Sequence, residues 1–150
     1  MMRQSIVPFL LIAFLATVAH ADDVTLADAV ESGDAARIEK LLSNPTDVNV
    51  AQADGMTALH WAAYRDDTVL AKQLLGLGAN ASTENRYGIN PLYLACLNGN
   101  ADLVAALLAA GADANSTARG GETALMTAAR TGKTDSITAL IDAGADVDAK

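Results

Sequence analysis

The chain has 150 residues, 10 Lys and Arg against 18 Asp and Glu, and a formal net charge of −8. That length fits one domain of ordinary size, and an acidic balance of this size argues against a surface built to grip phosphate backbones. Cys96 is the single cysteine, so no disulfide framework can form within the chain and stability has to come from packing.

Residues 1–21 read as a leader and not as part of the fold. Arg3 supplies a positive start, the run from Phe9 to Val18 is almost wholly apolar, and Ala19-His20-Ala21 is a small-x-small cleavage site followed by Asp22-Asp23. That is the layout of a secretory signal peptide. The apolar run falls short of the roughly 20 residues that span a bilayer. The expectation is cleavage after Ala21, a periplasmic or secreted location, and no membrane span afterwards. The residue directly after the cleavage site is Asp22 and not a cysteine, so a lipoprotein anchor is not indicated. Removing Arg3 leaves nine cations (ten less one) against eighteen carboxylates, a net −9.

From Asp22 onward the chain is periodic. The stretch Asp54–Glu84 recurs 33 residues later, ending at Thr117, and again 33 residues after that, ending at Lys150, with no gap. Gly55, Gly88 and Gly121 fall in register, as do Gly78, Gly111 and Gly144. Leu26, Ala29, Gly33, Leu41, Leu42 and Asn49 carry the same register backwards more faintly. A fixed period of this size marks stacked repeats that share one continuous core. The repeats run about 22–53, 54–86, 87–119 and 120–150.

In chain order, the first repeat predicts helices over Leu26–Ser32 and Ala35–Leu42 with Gly33-Asp34 as the turn between them. Asp28, Glu31, Arg37, Glu39 and Lys40 give it a charged surface, as suits a terminal repeat with one uncovered face. Asn44-Pro45 stops its second helix, because proline lacks an N–H and disfavours helix just before it. In the next three repeats the first helix is expected to start at Thr57, Asn90 or Thr123, each a good N-cap, with Pro91 at the first helical position, where its missing N–H costs nothing. The small pairs Ala62-Ala63, Ala95-Cys96 and Ala128-Ala129 let these inner helices approach one another, so a curved stack with the inner helices on its concave side should follow. Asp34, Asp67 and Asn100 align as N-caps of the second helices; Lys133 breaks the row, and Thr134 is expected to take over. The stripes Ile38/Leu41/Leu42, Ala71/Leu74/Leu75, Val104/Leu107/Leu108 and Ile137/Leu140/Ile141 mark the buried face of each second helix. The sequence closes on Val147-Asp148-Ala149-Lys150 with no polar capping repeat after it. Ile137, Leu140 and Ile141 are therefore expected to lie uncovered, at the end of a fragment or a fraying terminus rather than at a dimer face, and a monomer is expected.

These residues carry a family resemblance. The run Gly55-Met56-Thr57-Ala58-Leu59-His60-Trp61-Ala62-Ala63 resembles the G-x-T-P-L-H-x-A-A opening of an ankyrin repeat. Leu77-Gly78-Ala79-Asn80-Ala81-Ser82 and Ala110-Gly111-Ala112-Asp113-Ala114-Asn115 are similar to its G-A-D-V-N close. The resemblance covers Asp22 to Lys150. It implies an all-α, ankyrin-type α-solenoid of helix-turn-helix repeats joined by hairpin loops. It also implies a non-catalytic protein–protein interaction module that binds another protein by its concave face, with no cofactor. In such a face the hairpin tips and the outward ends of the inner helices make the contact, which singles out Tyr64, Arg65, Arg86, Tyr87, Arg119 and Arg130.

Catalytic chemistry is the alternative class, as a redox or hydrolytic enzyme using His60 or Cys96. His60 is expected instead to be held by a threonine hydroxyl and backbone groups, since a catalytic base needs a nucleophile or carboxylate arranged around it. Cys96 lies in a row of alanines, where a thiol packs rather than reacts. Trp61 is expected to pack, partly buried. The acidic pairs Asp22-Asp23, Asp66-Asp67 and Asp146-x-Asp148 do not fit a calcium loop, and neither a dinucleotide nor a P-loop glycine pattern is present. No metal, no nucleotide and no nucleic acid is expected as a ligand. A piece of a longer structural repeat array is the remaining reading.

Overall fold

The computed structural model describes residues 24–44 and 47–150; the leader, its cleavage site and Pro45 lie outside the described residues. Eight helices follow one another in pairs: α1 (Leu26–Ser32) and α2 (Ala35–Leu42), α3 (Ala58–Tyr64) and α4 (Thr68–Gly76), α5 (Pro91–Asn98) and α6 (Ala101–Ala109), α7 (Ala124–Thr131) and α8 (Thr134–Asp142). Each helix packs on its partner in the pair. The inner helices α1, α3, α5 and α7 stack in one row, and α4, α6 and α8 in a second. Among the described residues the extended pairing is confined to one isolated bridge, Thr117 to Thr123. The expected all-α solenoid is what forms, and α1 and α2 occupy the ranges read from the sequence.

The helix starts follow from side-chain oxygens. Thr57, Asn90 and Thr123 accept from the amides of His60, Tyr93 and Met126, and Asp34, Asp67 and Asn100 accept from those of Arg37, Leu70 and Leu103. The fourth repeat departs from the expectation. Lys133 holds the N-cap position of α8 without a side-chain hydrogen bond, and Thr134 does not replace it. Thr134 is already the first helical residue, so its hydroxyl is past the position from which an N-cap reaches the next turn. An absent cap of this kind costs about 1 kcal/mol.

The turn inside each pair needs a left-handed residue. Gly33, Gly99 and Gly132 supply it at φ 71, 69 and 68, and in the second repeat Asp66 adopts φ 60 instead. Aspartate tolerates this region better than most residues, and the Asp66 carboxylate is used here, accepting from Asn100 Nδ2 at 2.6 Å.

Leu59, Leu74, Leu92, Leu103, Leu107 and Leu140 are the large side chains of the core, and Ala62, Ala63, Ala95, Cys96 and Ala128 form the close-packed inner row. Ala129, at the end of that row, is exposed. Two expectations for the apolar stripes change at the ends of the stack. In the first repeat Ile38, Leu41 and Leu42 are only partly buried and α2 has no buried residue. The reason is that α2 stands away from α4 across a cleft of about 450 Å³ floored by Ile38, Leu42 and Leu70. In the fourth, Leu140 is fully buried against its own repeat and the third, while Ile141 stays 46% exposed. Ser136 is buried in α8 where α4 and α6 have Leu70 and Leu103, and its Oγ has no partner.

Polar locks join successive repeats. Asn49 Nδ2 donates to the Gly78 carbonyl at 3.1 Å while its Oδ1 accepts from Asn80 N–H at 2.7 Å. Asn115 does the same with Gly144 and Asp146 at 3.1 and 2.7 Å. Ser82 Oγ reaches the Gly111 carbonyl at 3.2 Å.

Two glycines respond oppositely to a methyl group. Gly55, at φ 87, faces the backbone of the next hairpin, and an added Cβ would sit 2.9 Å from Asn85 Cα. Gly76 closes α4 with open space around it and no positive φ. Gly55→Ala should therefore lower stability by about 1–2 kcal/mol or more, and Gly76→Ala should raise it by about 0.5–1 kcal/mol. Urea unfolding midpoints of the two variants check both signs.

Candidate partner-binding face

The hairpins between repeats close by one backbone pattern. Gln52, Asn85 and Ala118 donate their N–H groups to the carbonyls of Met56, Ile89 and Glu122 at 2.8, 2.9 and 2.9 Å. Asn85 Oδ1 also accepts from Tyr87 and Ile89 N–H at 2.9 and 3.0 Å, which fixes the second tip. The tips are tied to one another: Arg86 N–H donates to the Asp54 carbonyl at 2.9 Å, and Arg119 Nη2 donates to the Arg86 carbonyl at 3.2 Å.

Inner-helix side chains reach these tips through two polar networks. Gln52 Nε2 donates to Asp28 Oδ1 and to Glu31 Oε2, both at 2.7 Å, and Gln52 Oε1 accepts from Trp61 Nε1 at 2.7 Å. The bond that Gln52 donates, with those from Thr25, holds the Asp28 carboxyl below its ordinary pKa. Glu122 gathers Tyr93 Oη at 3.1 Å, Thr127 Oγ1 at 3.1 Å and Arg130 Nη2 at 2.9 Å. Partial burial pushes the Glu122 carboxyl up, but the bonds from Arg130, Thr127 and Tyr93 outweigh it and the net pKa is lowered. Each network joins inner helices to a hairpin, so α1, α3, α5 and α7 present a shared wall to the tips.

The six residues singled out by sequence separate into groups on this wall. Arg86, Tyr87 and Arg119 come together: the Arg86 guanidinium lies 5.0 Å from the Tyr87 ring centre, and Arg119 reaches the backbone of Arg86. Tyr64, 58% exposed, meets Trp61 edge to face at 5.7 Å. Arg130 is ion-paired to Glu122 and contributes no free charge. Arg65 lies apart, with Nη1 on the Glu31 carbonyl at 3.1 Å and its guanidinium over Gly33. There it satisfies a carbonyl at the C-terminus of α1, where a cation is favourable. Three residues gain weight that sequence reasoning did not assign: Gln52, Leu97 and Glu122. Leu97 is 42% exposed and holds in α5 the position Tyr64 holds in α3. Glu122 was detectable in principle, since it occupies the register of the apolar Met56 and Ile89.

His60 and Cys96 do not form a catalytic arrangement. His60 is fully buried. Its Nδ1 accepts from Thr57 N–H at 3.2 Å and faces Thr57 Oγ1 at 2.8 Å, so the proton sits on Nε2, which donates to the Ile89 carbonyl of the next repeat at 3.0 Å. Cys96 is buried, and burial pushes its thiol up to about 12. A thiol so rarely ionised is a poor nucleophile. Among the described residues no group of three or more His, Cys, Asp or Glu is placed to hold a metal ion, and no helix is long and apolar enough to cross a membrane.

A rising stack of short helix pairs, locked repeat to repeat and fringed by hairpin tips, defines a helical repeat solenoid. A family model described as ankyrin repeats (3 copies) matches residues 26–118 and again 67–150, and the chain belongs to the ankyrin repeat family. Repeats of this family are generally protein–protein interaction modules. No curated protein matched the chain.

Burial holds the His60 imidazole below its ordinary pKa of 6.5, against the upward pull of the Ile89 carbonyl and the Asp54 charge. The unfolded imidazole takes up its proton near 6.5 while the folded one refuses it, so this contribution to stability is complete above 6.5 and declines as pH falls toward the folded value. Asp28 and Glu122 lose their contribution lower, as pH falls below their unfolded values of 3.8 and 4.5. Urea midpoints should therefore drop between pH 7 and 5 in the native chain, and drop less in His60→Gln. For Cys96, the rise from 9.0 to about 12 implies roughly a thousandfold less thiolate than in the unfolded chain. Iodoacetamide at pH 8 should alkylate Cys96 slowly in buffer and rapidly in urea.

Proposed function

We propose that this chain is a non-catalytic binding module that takes another protein across the face formed by its inner helices and hairpin tips, and that it works outside the cytoplasm. The observation that carries this reading is the strip Trp61–Tyr64–Leu97 on the inner helices, with Tyr87 on the second hairpin tip. These side chains are apolar or aromatic, and Tyr64, Leu97 and Tyr87 are 58%, 42% and 49% exposed. Tyrosine, tryptophan and arginine are the residue types that dominate binding hot spots, and the polar networks around Gln52 and Glu122 hold the wall that presents them. A preformed wall spares the partner the cost of ordering it. The signal-peptide layout of residues 1–21 supports export, to a periplasmic or secreted location.

An enzymatic reading has less support, because His60 and Cys96 are both buried and committed to packing.

The test is cross-linking capture from extracellular or periplasmic extract. The native chain is compared with Tyr64→Asp/Leu97→Asp and with Val69→Asp, which alters an 80% exposed side chain on the outer helix α4. One dominant partner, lost with the first variant and kept with the second, is the expected result. Equal capture by both variants would move the interface off this face. Mass spectrometry of the exported chain should show Asp22 as its first residue; a retained leader would mean an anchored protein.

A further inference from the structure

We propose that the second and third hairpin tips form an anion-reading site on this face, and that the partner segment lying there is acidic, presenting carboxylates to Arg86 and Arg119. The proposal rests on the protein-binding reading above and adds the chemistry of what is bound.

Three observations lead to it. First, carboxylates outnumber cations 18 to 10 in this chain, yet among the described residues only Arg130 forms an ion pair. Among those residues Arg86 and Arg119 are, like Arg37 and Arg65, without a carboxylate partner; what sets them apart is their place on neighbouring tips. Second, the two arginines stand on adjacent tips and are linked through the Arg86 backbone. Arg119 extends along the tips to the Arg86 carbonyl, and Arg86 lies over the Tyr87 ring, so two cations and an aromatic plane occupy adjacent tips. The stacked guanidinium keeps its N–H edges available, and planar forks of this kind suit carboxylate acceptors. Third, the tips are held in place before any partner arrives, by the Arg86 N–H to Asp54 bond and the Asn85 side chain.

The same observations select among anions. A phosphate site is built from converging backbone N–H groups or an enclosed cradle. Here the Arg86 and Tyr87 amides are already bonded to Asp54 and Asn85, and the tips are open. A nucleic acid would be repelled by the net charge of −8. A short acidic segment meets the two arginines locally, while the repulsion from the remaining carboxylates is screened beyond about 8 Å at physiological salt. Its apolar neighbours would then extend toward Tyr64 and Leu97.

The experiment is fluorescence anisotropy with three labelled probes: heptaglutamate, heptalysine and a Gly-Ser heptapeptide. Heptaglutamate should bind the native chain saturably and in preference to the other two, and more weakly as NaCl rises from 50 to 300 mM. Arg86→Gln/Arg119→Gln should weaken it by roughly tenfold, the scale of two exposed ion pairs. Arg37→Glu, on the exposed surface of α2, should leave it unchanged. Thermal melts confirm that each variant is folded. Preference for heptalysine, no binding of heptaglutamate, or equal losses with Arg37→Glu would each overturn the proposal. The two readings fail separately. A captured partner lost with Tyr64→Asp/Leu97→Asp, but not displaced by heptaglutamate or affected by Arg86→Gln/Arg119→Gln, keeps the face and removes the acidic segment.

Discussion

The helices of this chain are seven to nine residues long, short of the roughly 12–15 at which an isolated helix becomes stable in water. Each therefore exists only because another helix covers its apolar side. The alanine pairs of the inner row allow the close approach, and the leucines of α4, α6 and α8 fill the space behind it. His60 shows the dependence at the level of one side chain: it is anchored in its own repeat by Thr57, and its Nε2 reaches the Ile89 carbonyl at the start of the next. Stability in such a stack is a sum over repeats and their interfaces, with no single nucleus that all of it surrounds.

The surface inherits its order from that stacking. Because every repeat delivers its tip and its inner helix in register, residues 33 apart in sequence line up in rows, and differences within a row become differences along the face. The row Glu31, Tyr64, Leu97, Arg130 runs from an acid through an aromatic and an aliphatic to a neutralised cation. The row Ala53, Arg86, Arg119 places its two cations at the later tips. Asp28 and Glu31 are drawn into the Gln52 network at the opposite end. Recognition by such a surface is a matter of which residue each row holds at each step.

The architecture was legible in the sequence because its signals are local and repeated four times. Thr57, Asn90 and Thr123 as caps, the second-helix stripes and the phased glycines all follow from spacing. What could not be read is what depends on one side chain meeting another across repeats. Arg65, Arg86, Arg119 and Arg130 look alike as letters, yet one caps a helix end, one is neutralised, and two share a pair of tips. Leu41 and Leu42 resemble Leu74 and Leu75, but α2 stands off from α4 and cannot bury its stripe. At position 133 the sequence revealed the loss of a capping residue, but the rescue by Thr134 failed because the backbone had already turned helical there. The pair Asp66-Asp67 signals no calcium loop, and the left-handed backbone of Asp66 with its bond from Asn100 emerges only in three dimensions.

The fourth repeat begins α8 without a cap, buries an unpartnered hydroxyl at Ser136, and leaves an apolar hollow of about 290 Å³ between Leu125, Met126, Ile137, Ile141 and Val147. These features loosen the fourth repeat, as the stand-off of α2 loosens the first, so opening of the described stack should start at its ends. The third hairpin tip, with Arg119, stands at the joint where the fourth repeat is attached. A ligand lying across the second and third tips would therefore act as a splint, since whatever binds only the assembled state stabilises it by mass action. Occupancy of the tips would be sensed at the far end of the chain as a slower opening of its last helix pair.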